Sequence, residues 1–152
     1  LAGRPGITIT HVGEAGTPEW EDAVRAALAA APGYRWLGPR PHAETRELIR
    51  QAHVLVHPSV MEGGAHVILE AVRSGTPVLA SKVGGNIGML GADYEGYFPH
   101  GDARRLAAAL KRCRDEPASL ARLAAQCEAR AALFTPEAER AGLLKLLEEL
   151  LA

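Results

Sequence analysis

The residues of this 152-residue chain whose types and spacing could do chemistry lie in one stretch, Pro58-Ser59-Val60-Met61-Glu62-Gly63-Gly64-Ala65-His66-Val67-Ile68-Leu69-Glu70. The apolar run 53–57 (HVLVH) ends at Pro58 and reads as a buried-type strand. Residues 65–74 (AHVILEAVRS) read as an amphipathic helix stopped by Gly75. The loop between them is polar and holds two adjacent glycines. The first backbone N–H groups of a helix have no intrahelical partners, and the helix dipole adds positive potential there. The N–H groups of 63–66 are therefore placed to hold an anion such as a diphosphate. Glu70 falls about 7–8 Å along the helix at roughly 1.5 Å per residue. At that distance a carboxylate accepts two hydroxyl hydrogen bonds from a ribose whose phosphates sit at the helix end. Glu62, in the loop, is placed for the group beyond the phosphates. The same residues also fit a plain capping pattern with Gly63-Gly64 as a simple turn. The residues alone leave both readings open.

The elements that must position this stretch follow from periodicity and punctuation. Residues 7–12 (ITITHV) read as a strand. Thr17-Pro18-Glu19 gives an N-cap, a Pro at the first helical position and an acid in the first turn, opening an alanine-rich helix that Pro32-Gly33 stops. Residues 34–37 (YRWL) read as a short strand closed by Gly38, and 43–51 as a helix. Residues 77–81 (PVLAS) read as a strand, followed by a glycine-rich loop, Val83-Gly84-Gly85-Asn86. Residues 94–98 read as a last short strand. Three helices, 102–115, 117–133 and 136–151, complete the chain, with Pro117 and Pro136 marking two starts. Strands alternating with helices at this spacing imply parallel βαβ units with right-handed crossovers. The expected fold is α/β, a Rossmann-like doubly wound parallel sheet with helices on both faces. Ligands in such sheets bind at the carboxyl ends of the strands. Here those loops are 13–16, 38–42, 58–64 and 82–88, and they carry Glu14, Arg40, Ser59, Glu62 and Asn86.

Composition excludes several classes. Apolar residues make up 47% and charged residues 23%, so the whole is neither disordered, collagenous nor a disulfide scaffold. A net charge of -1 offers no basic field for nucleic acid or an anionic membrane. No apolar run approaches the roughly 20 residues of a membrane span. Cys113 and Cys127 have neither zinc spacing nor a CxxC, and read as buried thiols in a reducing cytosol, so a cytoplasmic location is expected. Fourteen Arg against three Lys, with many Ala, points to a GC-rich bacterial genome. His53 and His57 read as packing within a strand rather than as metal ligands. No serine-nucleophile elbow or phosphate-loop motif occurs, and Ser59 and Ser81 show no base partner. The leucines of the last helix, from Leu143 to Leu151, read as a packing stripe.

In order along the chain, YRWLG, HVLVHPS, Glu62-x7-Glu70-Ala71, SGTPVLAS, VGG, GYF and GDA resemble the C-terminal half of retaining family-4 glycosyltransferases. Those enzymes have the GT-B fold, two Rossmann-like domains facing across a cleft. The resemblance implies that Glu70 holds the ribose hydroxyls of a nucleotide-sugar donor and that Glu62 faces the donor sugar as the catalytic glutamate. It implies that Gly63, Gly64, Ala65 and His66 meet sugar and diphosphate, that Arg40 stands against the base, and that Ser59, Gly84 and Gly85 line the same cleft. Ala65 departs from the glycine usual in the family, so its backbone is expected to avoid positive φ. The family's first βα unit, with its phosphate-neutralising GR…K element, has no counterpart in the sequence, nor has an acceptor domain.

The resemblance therefore implies one partial C-terminal GT-B domain over 1–152, with the helices of about 102–151 packing on or beyond the sheet. Its expected partners are a nucleotide-sugar donor, UDP-linked by resemblance, an acceptor, and an N-terminal acceptor domain of a longer chain. No cofactor or metal is expected. Without that domain and those cations, the 152 residues are not expected to transfer sugar alone. An unpaired central strand edge is expected to be met by residues outside the sequence, or in a swapped or oligomeric form. A narrower resemblance, of EGGAHVILEA with GNIGMLGADYEGYFPHGD, is to the selenosugar synthases of selenoneine biosynthesis, which transfer a sugar from a UDP-sugar to selenophosphate. Two other readings stand beside this one: a sugar-nucleotide epimerase of GT-B architecture, and a nucleotide-sugar-binding module without turnover.

Overall fold

The computed structural model describes residues 6–61 and 63–151. The elements run β1 (Ile9–His11), α1 (Pro18–Ala30), β2 (Tyr34–Trp36), α2 (His42–Gln51), β3 (Leu55–His57), α3 (His66–Arg73), β4 (Val78–Ser81), α4 (Gly84–Leu90), β5 (Tyr97–Phe98), α5 (Ala103–Asp115) and α6 (Pro117–Arg130). A 3₁₀ turn (Ala131–Phe134) and α7 (Pro136–Leu151) follow. The chain divides into two compact units, Leu1–Leu48 and Ile49–Ala152, with the boundary inside α2.

In the first unit β1 and β2 pair in parallel, Ile9 opposite Tyr34 and His11 opposite Trp36. The β-branched residues of β1 suit a pleated, half-buried surface. The His11 ring nitrogen Nδ1 lies 2.7 Å from the Tyr34 hydroxyl, and the Trp36 indole N–H donates to the Gly13 carbonyl at 2.9 Å. Polar rims of the aromatic rings thus tie the strand ends together. In α1 the Thr17 side chain caps the helix, accepting from the Trp20 N–H at 3.4 Å, and Val24 is its buried residue.

In the second unit β3, β4 and β5 form a parallel sheet in that order. All four residues of β4 are buried, and Val78, Leu79, Ala80 and Ser81 have no exposed surface. A strand buried in this way requires cover from helices, and α3 and α6 both pack on it. Ile68, Ala71 and Val72 from α3, with Leu123 and Cys127 from α6, fill that core. The spacing of 68, 71 and 72 is that of one face of a helix. Both cysteines are buried and free.

The α/β fold of parallel strands covered by helices is as expected, and its described strands lie in two sheets, β1-β2 and β3-β4-β5. Other details differ from the sequence reading. His53 precedes β3 rather than lying on it. The α7 leucines are exposed, Leu143 by 58% and Leu150 by 72%, because the packing that α7 makes among the described residues is against the 3₁₀ turn.

Tyr94 closes the core at the amino end of β4. Its hydroxyl accepts from the Val78 N–H at 3.1 Å and donates to the Val78 carbonyl. Gly96 passes so close that an added Cβ would meet the Val78 carbonyl oxygen and the Tyr94 ring, with Cε1 at 2.5 Å. Because the blocking atoms are backbone and a rigid ring, Gly96→Ala should destabilise the protein by about 1–3 kcal/mol, the usual range for overpacking. Urea titration of the two proteins measures it, and equal midpoints would refute the contact.

Candidate functional site

β3 and β4 are adjacent and parallel, with His57 opposite Ala80. Their carboxyl ends therefore lie at one edge of the sheet, and the chain segments leaving them carry Ser59, Gly63, Gly64, Ala65, Gly84 and Gly85. Glu62 lies outside the described residues. Ser59 is half-buried, and its hydroxyl donates to the Met61 carbonyl at 3.2 Å. Gly63 and Gly64 are exposed, and neither has positive φ. A Cβ on Gly63 or Gly84 would meet nothing within 4 Å, and one on Gly64 would rest 3.7 Å from the Met89 sulfur. Neither backbone conformation nor described packing demands glycine at 63 or 84. The open space beside these backbones is what a ligand approaching main-chain amides requires.

The segment feeds α3 through Ala65, the N-cap, whose φ of -79° and ψ of 111° agree with the expectation of negative φ there. Ala65 is 5% exposed and offers no side-chain cap, and the first turn of α3 contains no acid. α1 and α5 are built differently: Thr17 caps α1 ahead of two first-turn acids, and Asp102 caps α5. The amides at the start of α3 therefore keep their positive potential undiminished by a local carboxylate among the described residues. His66, the first helical residue, is exposed. Glu70, one turn further on, is half-buried.

The first turn of α4 is the loop that the sequence reading placed at 83–86. Remote groups hold the carbonyls of the C-terminal half of this helix. Arg130 of α6 donates from Nε to the Met89 carbonyl at 3.0 Å and from a terminal nitrogen to the Gly88 carbonyl at 2.9 Å. The Tyr97 hydroxyl lies 3.1 Å from the Asn86 carbonyl oxygen and 2.8 Å from that of Gly91, donating to these acceptors. Gly91 ends the helix with φ 93°, a conformation that favours glycine. Burial pushes the Tyr97 phenol up to about 12, with Arg130 acting in the opposite sense. Burial also raises the Tyr94 phenol and the Cys127 thiol, 3.4 Å apart.

Asn86 was read from sequence only as a loop residue. It is fully buried. Its amide nitrogen donates to the Ser81 carbonyl at 2.9 Å and to the Ser81 hydroxyl at 3.2 Å, and that hydroxyl donates to the Ser59 carbonyl at 2.5 Å. Asn86 Oδ1 has no hydrogen-bond partner among the described residues. An unsatisfied buried acceptor costs about 1–3 kcal/mol.

Arg40 belongs to the first unit. It follows Gly38 and Pro39 and lies 3.9 Å from the Glu44 carboxylate, an exposed pair of small energetic value. It lines a shallow groove with Leu37, Ala43, Glu44, Glu47 and Leu48. No group of three His, Cys, Asp or Glu side chains suited to a metal occurs among the described residues, and no helix there is long and apolar enough to cross a membrane.

Comparison with known proteins gives these findings a frame. The family described as "Glycosyl transferases group 1" matches residues 4–131. The chain is 35% identical over 133 residues to a Mycobacterium tuberculosis glycogen synthase, covering 85% of this chain and 30% of that protein. It is 35% identical over 99 residues to a Corynebacterium glutamicum D-inositol 3-phosphate glycosyltransferase, covering 62% of this chain and 24% of that one. The chain thus spans less than a third of the length of these relatives. Among solved structures, Anabaena HepE in complex with UDP and glucose superposes with a TM-score of 0.80 at 23% identity, over 96% of this chain and 41% of that one. Sucrose-phosphate synthase of Thermosynechococcus elongatus superposes with a TM-score of 0.76 at 28% identity, over 93% and 38%. The α/β architecture with parallel sheets is that of GT-B glycosyltransferases.

The phenol of Tyr97 generates a pH prediction. A phenol whose folded pKa is raised binds its proton more tightly when folded, so its contribution is complete below the ordinary value of 10 and is lost as pH rises through about 12. Stability should fall across that window, and Tyr97→Phe, which has no proton to lose, should fall less steeply. Urea midpoints of both proteins from pH 9 to 12 measure this, and parallel profiles would refute it.

Proposed function

We propose, for a chain that belongs to the glycosyl transferases of group 1, that residues 1–152 act as the partial C-terminal, donor-binding domain of a glycosyltransferase. On this reading the enzyme moves a sugar from a nucleoside diphosphate, UDP for preference, to an acceptor with retention at the anomeric carbon. The observation that carries it is the start of α3, which has neither side-chain cap nor first-turn acid and is preceded by two exposed glycines, Gly63 with open space on its side-chain face. Helix-end amides and close backbone approach suit a diphosphate. A UDP complex of HepE, which shares the fold, is consistent with the choice of nucleotide.

The chemistry needs little from protein nucleophiles. The bond from the anomeric carbon to the β-phosphate oxygen breaks, the acceptor forms a bond to that carbon, and the departing nucleoside diphosphate takes the electron pair. Negative charge grows on the diphosphate, so amides already aimed at it stabilise the transition state more than the ground state. Glu70 anchors the ribose hydroxyls, and His66, Ala65, Gly64 and Gly63 present main chain to the phosphates and sugar. Gly84 and Gly85 border the same edge of the sheet, and Ser59 shapes the loop that carries Glu62. Glu62 orients the donor sugar. Arg40 serves the base. The remaining acceptor-binding parts lie in an N-terminal domain of the longer protein, and the reaction takes place in the cytoplasm. The assignment of selenophosphate as acceptor rests on EGGAHVILEA and GNIGMLGADYEGYFPHGD alone. Product analysis with UDP-sugar and selenophosphate tests it. Conversion of donor alone would instead mark an epimerase, and binding without release of nucleoside diphosphate a non-catalytic module.

The sharpest test contrasts the two glutamates in the full-length protein. Glu70 meets groups that are the same in substrate and product, so Glu70→Ala should weaken nucleotide binding about tenfold or more, each lost charge-assisted hydrogen bond being worth about 1.5–3 kcal/mol. Glu62 faces the part of the donor that changes shape and charge, so Glu62→Ala should lower kcat with a smaller change in nucleotide affinity. Calorimetric titration with UDP and steady-state kinetics with varied donor measure both. Intact nucleotide affinity in Glu70→Ala would remove the ribose assignment.

A further inference from the structure

We propose that Asn86 is a positioning residue, acting through Ser81 to fix the segment between β3 and α3 that carries the glycine pair. The inference deepens the reading above and rests on it, since the role given to that segment is to meet the donor. The geometry is a directed chain of hydrogen bonds. The Ser81 hydroxyl is 2.5 Å from the Ser59 carbonyl oxygen, which can only accept, so Ser81 donates its one hydrogen there. The Ser81 oxygen must then accept from Asn86 Nδ2 at 3.2 Å, and the same amide nitrogen donates to the Ser81 carbonyl at 2.9 Å. Both donors of Asn86 are thereby committed to one residue, and the amide cannot be reversed without facing two acceptors with an oxygen.

Burial makes the chain selective. Ser81 and Asn86 have no exposed surface, so water cannot replace either partner without opening the core. The far end of the chain is the backbone of Ser59, whose own hydroxyl turns to the Met61 carbonyl at 3.2 Å. Two successive bonds therefore set the path of residues 59–61, immediately before Glu62 and Gly63-Gly64. A second contact from α4 supports this placement, because the Met89 sulfur stands 3.7 Å from where a Gly64 Cβ would be. α4 itself is held by Arg130 and Tyr97. The first turn of α4 and the segment after β3 are in this way one assembly, built from the two strand ends at which the donor is bound.

A merely structural asparagine would change stability and leave the split between binding and turnover alone. A positioning residue changes turnover, since displacing a reacting group by about 1 Å costs on the order of a hundredfold in rate. In the full-length protein, Ser81→Ala and Asn86→Ala should each lower kcat about tenfold or more while UDP affinity, anchored on α3, stays within about threefold. The double variant should be no more than about twofold worse than the poorer single one, because both act through one chain of bonds. Ser81→Thr, which restores the hydroxyl, should recover most of kcat. Hydrogen exchange read without any substrate supplies the independent measurement: peptides covering 59–65 should exchange faster in Ser81→Ala and Asn86→Ala, with those of α6 unchanged. Unchanged exchange in 59–65, or kcat within twofold of the unaltered protein, overturns the positioning role. If exchange rises as expected but the unaltered protein binds no UDP, GDP or ADP, the donor reading falls, and with it the purpose assigned to the segment.

Discussion

A strand with no exposed surface sets the terms for the second unit. β4 pairs with β3 on one edge and β5 on the other, and every one of its side chains is buried. Backbone N–H and C=O groups in such a place must be paired: β3 pairs with Val78, Leu79 and Ala80, β5 with Ala80 and Ser81, and the Tyr94 hydroxyl serves Val78 where β5 does not reach. The same arrangement forbids chemistry along the strand, because an unpaired polar side chain there would carry its full desolvation penalty. Polar function is displaced to the strand's carboxyl end, and Ser81, its last residue, is where the displacement begins. Its hydroxyl is tolerated in the core because it both donates and accepts. The helices answer the same demand: α3 and α6 lay Ile68, Ala71, Leu123 and Cys127 over the sheet and leave the N-terminus of α3 at the edge where the loops emerge.

The helix after β4 shows the cost of placing glycines where a backbone must be approached. α4 has Gly84, Gly85 and Gly88 within seven residues, and each glycine disfavours helix by about 1 kcal/mol relative to alanine. Seven residues are also too few for a helix to stand alone in water. Its carbonyls are satisfied instead by Arg130, more than forty residues away in sequence, and by Tyr97. A cationic side chain at a helix C-terminus also complements the dipole. Stability for a glycine-rich turn is therefore drawn from α6 and β5, which meet no ligand in the proposed reading.

This division explains what the sequence made legible. Local signals located most of the fold: Thr17 before Pro18 opened α1, Pro117 and Pro136 opened α6 and α7, and Gly75 closed the amphipathic run of α3. The strand end before Pro58 and the helix start after Gly64 were legible because their signals are local. What depended on distant partners was not. Helix α4 was read as a loop, since Arg130 and Tyr97 leave no mark near Gly84. The leucines of α7 obey a packing period, yet exposure depends on what lies opposite, and period alone does not contain that. Ser81 shows no base partner in the sequence, and its hydroxyl joins the Ser59 carbonyl to the Asn86 amide, partners that no local pattern marks.

A site that recognises its ligand through backbone amides meets a difficulty that a site built on charged side chains avoids. Amides are aimed only if the chain carrying them is already ordered, and fixing a residue's backbone costs roughly 1–2 kcal/mol. For a segment such as 59–64, ordering on binding would consume several kcal/mol of interaction with the donor, comparable with a substantial part of the roughly 8 kcal/mol that a micromolar complex supplies. Ordering during folding removes that cost from the binding step. The Asn86–Ser81–Ser59 chain has the properties such a device requires. Its Asn86 and Ser81 members are buried, so water does not compete for the bonds between them. It ends on a carbonyl, so it constrains main chain rather than one side chain. It also leaves one acceptor, Asn86 Oδ1, without a partner among the described residues, a penalty that a core optimised for stability alone would have removed by an apolar substitution. Retaining it is intelligible if the two donors matter more than the lost bond, because the residue they hold, Ser81, is the one whose hydroxyl reaches the Ser59 carbonyl at the start of the segment after β3.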